Sequence, residues 1–293
     1  MADKLNVSGK GAIITGAGSG INLAFAKELY QANCSVLIVD IALHHTATEW
    51  LNTLPKNAGP KVAFYKADVS DWTELERSYD VYDKEIGGVP YIVCPGAGIY
   101  EPSHNGFWTD TDVDGHYRLF DINLLSPIKM TRLAIKKMLG VNQPGIVVHV
   151  SSTGAQKASI ITPLYQSGKS AISAFVRCMG QLHGFCGIRV VGVAPGIIKS
   201  PLFTDHPEIM RYIDSTKDNM LEPEAVARAM FAVATDPKYP PGTILECADL
   251  DDNWRVVNLL NDPGPQGRAS WSSNKDLALE DVKKMIDADR GTK

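Results

Sequence analysis

In the stretch "TPLYQSGKSA" a tyrosine and a lysine stand four apart, as Tyr165 and Lys169. On a helix this spacing brings both side chains out on one face, within reach of a common ligand. A free phenol has a pKa near ~10, too high for easy proton exchange at neutral pH, and a nearby ammonium favours its ionised form. Lowering that pKa by ~3 units takes about 4 kcal/mol, which Lys169 and a second cation can supply in a site shielded from water. A phenol so tuned protonates a carbonyl or deprotonates an alcohol. Ser152 closes the apolar run "GIVVHVSS" and can donate to the same oxygen, holding it beside the phenol. Adjacent strand side chains face opposite ways, so Ser151 is assigned to strand structure instead. The competing reading of the spacing is an ordinary surface pair.

A second constellation handles phosphate. The run "GAIIT" leads through "TGAGSGIN" into the helical pattern "LAFAKELY". Gly16, Gly18, Ser19, Gly20 and Ile21 thus form a turn at a helix amino terminus, where free N–H groups and a partial positive charge favour a pyrophosphate. The strict G-x-G-x-x-G pattern fails, because residue 21 is isoleucine, and a purely structural turn remains the alternative. Asp40 ends the next apolar run, about 20 residues beyond Gly20, where a carboxylate accepts bonds from ribose hydroxyls. Its charge repels a 2′-phosphate, and Ala17 and Ile41 provide no compensating cation, so NAD is expected over NADP. A solvated strand end is the other reading of Asp40.

The elements that must position these groups are legible as alternation. Apolar runs at 11–15, 35–40, 61–69, 91–94, 145–152, 188–195 and 242–246 are mostly continuous, as strands buried on both faces require. Between them lie helix-length segments near 19–32, 44–53, 71–86, 116–139, 163–186 and 222–235. This is an α/β chain with a doubly wound sheet of about seven parallel strands flanked by helices. Residues 1–246 read as one domain, and 247–293 as a C-terminal extension packing on it, with Leu279, Val282 and Ile286 on one helical face. Two long turn-rich loops, after Gly98 and after Gly196, carry the aromatic residues Tyr100, Phe107, Trp108, Phe203 and Tyr212, besides Leu202. They are candidate substrate walls, or simply lid packing.

A net charge of -4 argues against nucleic acid or an anionic membrane as partner. The five cysteines form no C-x-x-C, so neither a zinc site nor a disulfide framework is indicated. With no signal-like or membrane-length apolar run, the expected location is cytoplasmic.

Taken in order, "TGAGSGIN" with Asp40, "ADV" at 67–69, "DINLLSP", "VSS" at 150–152, "YQSGK" at 165–169 and "PGIIKS" resemble the motifs of the short-chain dehydrogenase/reductase family over about residues 8–246. The resemblance implies a single-domain Rossmann fold and a homodimer or homotetramer, with its interface on segments 116–139 and 163–186. It implies catalytic roles for Asn123, Ser152, Tyr165 and Lys169, with Asn123 holding a water that links the lysine to solvent. It places Asp68 and Val69 at adenine and Gly96, Ala97 and Gly98 near the ribose. Pro195, Gly196, Ile198 and Ser200 fall near the nicotinamide.

Two departures stand out. Asn22 occupies the family's third glycine, where it either bonds the cofactor or crowds it, and "PGAG" at 95–98 replaces Asn-Asn-Ala-Gly. The expected function is hydride transfer between NAD(H) and an apolar secondary alcohol or ketone of steroid, lipid or secondary-metabolite type. Ser152, Tyr165, Tyr100, Trp108 and Phe203 are the expected substrate contacts. The alternatives are a non-redox enzyme on the same scaffold, such as a dehydratase, isomerase or cyclase, and a catalytically silent NAD sensor.

Overall fold

The computed structural model describes residues 4–55, 58–101, 106–110, 115–211, 213–214, 216–258 and 275–291. The seven apolar runs form β1 Gly11–Thr15, β2 Ser35–Asp40, β3 Val62–Lys66, β4 Ile92–Pro95, β5 Gly145–Val150, β6 Ile188–Pro195 and β7 Ile244–Cys247. They pair in parallel in the order β3-β2-β1-β4-β5-β6-β7. Beyond the seven expected parallel strands, a short eighth strand, β8 Arg255–Val256, joins β7 antiparallel. It belongs to the C-terminal segment, part of which therefore extends the sheet.

The helices are α1 Gly20–Gln31, α2 His45–Thr53, α3 Trp72–Glu85, α4 Arg118–Phe120, α5 Ser126–Gly140, α6 Pro163–Cys178, α7 Leu182–Cys186, α8 Pro201–Thr204, α9 Pro207–Met210, α10 Pro223–Thr235 and α11 Lys275–Gly291. Every residue of β1 is buried, with Ile14 in the core under α1 and α10 and Ile13 in the core under α3 and α5. Continuous apolar sequence is what a strand covered on both faces needs. Phe25, Leu29, Met230 and Val233 close one layer against Ile38, Val148 and Val191. Leu75, Tyr79, Met130 and Met138 close the other against Leu37, Val147 and Val190.

Two expected helices are broken. The segment expected at 116–139 is α4, a π turn over Asp121–Leu125 that contains Asn123, and then α5. The segment at 163–186 is α6, a 3-10 turn over Met179–Gln181, and α7, stopped by Gly187 at φ 75°. Single turns of π-helix recur where a side chain must be aimed at a functional site. The sheet order reverses between β1 and β4, which opens a crevice at the carboxyl ends of the strands.

Candidate active site

A cleft of about 1180 Å³ follows this crevice from Asp40 to Phe203. Its phosphate end is the turn from β1 to α1. Gly16 and Gly20 adopt φ 70° and 59°, the left-handed region that glycine enters without strain. The Ser19 hydroxyl makes no cap bond and the first turn of α1 holds no acidic side chain, so the helix amino terminus stands free for an anion. Gly16, Ser19, Gly20 and Ile21 line the cleft. Gly18 does not: a Cβ there would meet the Ala42 carbonyl at 2.1 Å and the Asp40 carboxylate at 2.8 Å. Its role is to let β2 approach, and its N–H donates to Asp40 Oδ2 at 2.8 Å. Burial raises the Asp40 pKa, while that N–H and those of Ala42 and Ile41 pull it back.

Asn22 lies at the edge of the cleft with its amide turned inward. It is buried, with Nδ2 donating to Gly96 O at 2.8 Å and to Gly16 O at 3.3 Å. A Cβ on Gly96 would lie 2.3 Å from Asn22 Oδ1. The two departures noted in the sequence therefore fit one another: the amide that leaves residue 96 bare is supplied across the turn by residue 22. The remaining residues expected at a nucleotide also line the cleft. Asp68 and Val69 lie beyond Asp40, Gly96, Ala97 and Gly98 follow β4, and Pro195, Gly196, Ile198 and Ser200 follow β6. Asp68 Oδ2 accepts from Arg118 Nη2 at 2.7 Å, and Asp68 Oδ1 accepts from the Ser70 hydroxyl and N–H.

At the other end Ser152, Tyr165 and Lys169 converge on the cleft wall. The Ser152 hydroxyl lies close enough to the Tyr165 phenol to pull its pKa down, and Ser152 Oγ accepts from Gly154 N at 3.0 Å. Ser151 turns away as strand alternation requires, bonding Lys169 O at 3.0 Å and Ser173 Oγ at 2.6 Å. Lys169 is buried, with Nζ donating to Val150 O at 2.8 Å and lying 5.7 Å from the Tyr165 ring centre. The expected acidified phenol is not what the protein alone provides. Burial pushes the Tyr165 pKa up to about 12, against the pull of the Ser152 hydroxyl, and pushes Lys169 down to about 8. Loss of water around both groups outweighs their mutual attraction at this separation. Asn123 stands behind them rather than on the wall, its Nδ2 donating to Ile99 O at 2.8 Å and its Oδ1 accepting from Ile99 N at 2.9 Å. Its carboxamide thus braces the chain beyond β4, and both its Oδ1 and Lys169 Nζ lie within 4 Å of where a Gly98 Cβ would stand.

Of the aromatic candidates, Tyr100 and Phe203 line the cleft, with Tyr100 packed edge-on to Tyr165 at 4.6 Å and against Phe203 at 5.3 Å. Trp108 is 62% exposed and not among the residues lining the cleft, and its indole N–H donates to Ile160 O at 2.7 Å. An indole N–H needs a partner, and here the Ile160 carbonyl supplies it. Phe107 pairs with it at 5.0 Å. Tyr212 and Leu279 lie outside the residues whose side chains are described. Reading the sequence missed Glu101, a carboxylate buried in the cleft wall; no local pattern around it announces its contacts.

The strand order, the free helix terminus and the acid–base cluster define a Rossmann-type nucleotide-binding oxidoreductase scaffold. The family model described as short chain dehydrogenase matches residues 10–209, and the chain belongs to that family. Its members use nicotinamide cofactors, and the cradle described above fits one. A trihydroxynaphthalene reductase of Colletotrichum orbiculare is 32% identical, over 94% of this chain and 89% of the relative. A galactitol 2-dehydrogenase of Agrobacterium fabrum is 27% identical, over 66% of this chain and 72% of the relative. A short-chain type dehydrogenase/reductase from Mycobacterium marinum superposes with a TM-score of 0.71 at 22% identity, covering 85% of this chain and 97% of that structure. Among the described residues no helix is long and apolar enough to cross a membrane.

Proposed function

We propose that the protein is an NAD-dependent dehydrogenase or reductase that interconverts a secondary alcohol and a ketone on a largely apolar small molecule. The observation that carries this reading is the convergence of Ser152, Tyr165 and the buried Lys169 on the wall of a cleft whose far end is a free helix terminus. The nicotinamide supplies the hydride chemistry when bound. Ser152 orients the substrate oxygen, and Tyr165 exchanges the proton with it. With its pKa pushed up to about 12, the phenol is neutral and ready to give that proton to a carbonyl oxygen. In the opposite direction it must lose its proton, and added positive charge in the cleft lowers the cost. Asp40 favours a ribose hydroxyl over a phosphate, hence NAD over NADP. Tyr100 and Phe203 suit a ring or chain beside the reacting carbon. A homo-oligomer and a cytoplasmic location complete the proposal.

A panel of alcohols and ketones, followed by NADH absorbance with NADP(H) run in parallel, tests this. Turnover is expected with NAD(H), and Tyr165→Phe is expected to reduce it by ~10²–10⁴-fold, the usual worth of a general acid, while NADH binding persists. Tight NADH binding without turnover across the panel would favour the sensor or non-redox reading instead.

A further inference from the structure

We infer that Glu101 is the positioning residue that sets Tyr165 in place, and that it does so by clasping the acid–base helix to the segment at the cleft rim. This rests on the redox reading of the site, and it can fail separately from it. Glu101 is 1% exposed. Its Oε2 accepts from Tyr165 N at 3.0 Å and its Oε1 from Phe107 N at 3.0 Å. Both carboxylate oxygens are therefore committed to main-chain donors on two different elements.

The first donor matters because of where it lies. Thr162 precedes α6 and makes no side-chain cap bond, Pro163 has no N–H, and Tyr165 is the third helical residue. Its N–H is one of the donors that a helix leaves unpaired at its start, and a carboxylate there also complements the helix dipole. A charged acceptor from 64 residues away does the work of a cap. The backbone of the proton-exchanging residue is thus fixed directly. The ring is fixed as well: Tyr100, next to Glu101 in the chain, packs edge-on against it at 4.6 Å. The second donor opens the 3-10 turn Phe107–Thr109, which carries Trp108 to its bond with Ile160 O. A displacement of about 1 Å at a reacting group costs up to ~10²-fold in rate, so a clasp on the Tyr165 backbone bears directly on turnover.

Glu101→Gln keeps the shape but turns an N–H₂ toward one of the two N–H donors. The expected result is a fall in kcat of about ten-fold or more, with the dissociation constant for NADH changed less than about two-fold. Hydrogen exchange read by mass spectrometry should quicken in 106–110 and 163–169 and stay unchanged in β1, β5 and β6. A second variant spares the carboxylate. Phe107→Pro removes only the N–H on Oε1 beyond what Phe107→Ala removes, and it suits the first position of a turn after Gly106 at φ -74°, ψ 162°. It should quicken exchange in 163–169 relative to Phe107→Ala. Wild-type exchange in those two segments of Glu101→Gln, or an unchanged kcat, overturns the inference. A wild-type protein that turns over nothing sinks the redox reading, and the exchange arm still decides the clasp.

Discussion

At the scale of single residues, burial decides which protonation states the site works with. His149 is fully buried in β5, and burial, with Lys169 adding a smaller push, lowers its pKa to about 3. Thr131 Oγ1 donates to Pro127 O at 2.7 Å, so at 3.0 Å from His149 Nε2 it must accept the imidazole proton. Nδ1 is left a bare acceptor with no hydrogen-bond partner. In the unfolded chain histidine binds a proton below ~6.5, whereas the folded protein refuses it until about 3. The unfolded state then holds more protons in that window, so stability falls as pH falls, by up to ~1.4 kcal/mol per pH unit. Thermal melts from pH 7 to 4 should therefore drop more steeply for the wild type than for His149→Gln. Parallel curves would remove the assignment of a neutral imidazole.

At the scale of elements, the β1–α1 turn and the end of β4 are held by one amide. Asn22→Ala frees the buried Gly96 and Gly16 carbonyls, and losing such bonds costs about 1–3 kcal/mol. Gly96→Ala drives a methyl into Asn22 and is expected to be as damaging or worse. In the double variant the clash is absent, so its loss should be smaller than the sum of the two single losses by ~1 kcal/mol or more. Urea unfolding of the four proteins reads this coupling, and strict additivity would show that the contact carries no energy. The same pair explains why two departures from the family pattern leave the cleft open: one side chain moved across the turn. The π turn over Asp121–Leu125 acts likewise at the other end, bringing Asn123 onto the backbone of Ile99.

At the scale of the whole molecule, the C-terminal helix α11 adds to the core. α11 lies along α5 and α7, burying Ile286 and joining Asp289 to Arg132 through two contacts of 2.5 and 3.1 Å. The ion pair is half exposed on the arginine side and is worth at most ~1 kcal/mol, whereas a buried isoleucine contributes about 1.5–3 kcal/mol. Ending the chain before Lys275 should thus lower stability by roughly 2–3 kcal/mol while leaving NADH affinity intact, since among the described residues none beyond Ile213 lines the cleft. Denaturant midpoints and a fluorescence titration of the shortened chain measure both. A large loss of NADH affinity would mean that the tail reaches the site after all.

What the sequence determined is what short-range rules encode. The apolar runs had to be buried parallel strands, Tyr165 and Lys169 had to share a helix face, and Ser151 and Ser152 had to point opposite ways. Tertiary structure decided whatever depends on distant partners. Asn22 meets Gly96 across 74 positions, Glu101 reaches Tyr165 across 64, and Trp108 leaves the cleft for the Ile160 carbonyl. It also set the charge states, because the cost of stripping water from a phenol or an ammonium depends on the depth at which the packed chain leaves it, and spacing along the chain carries no record of depth.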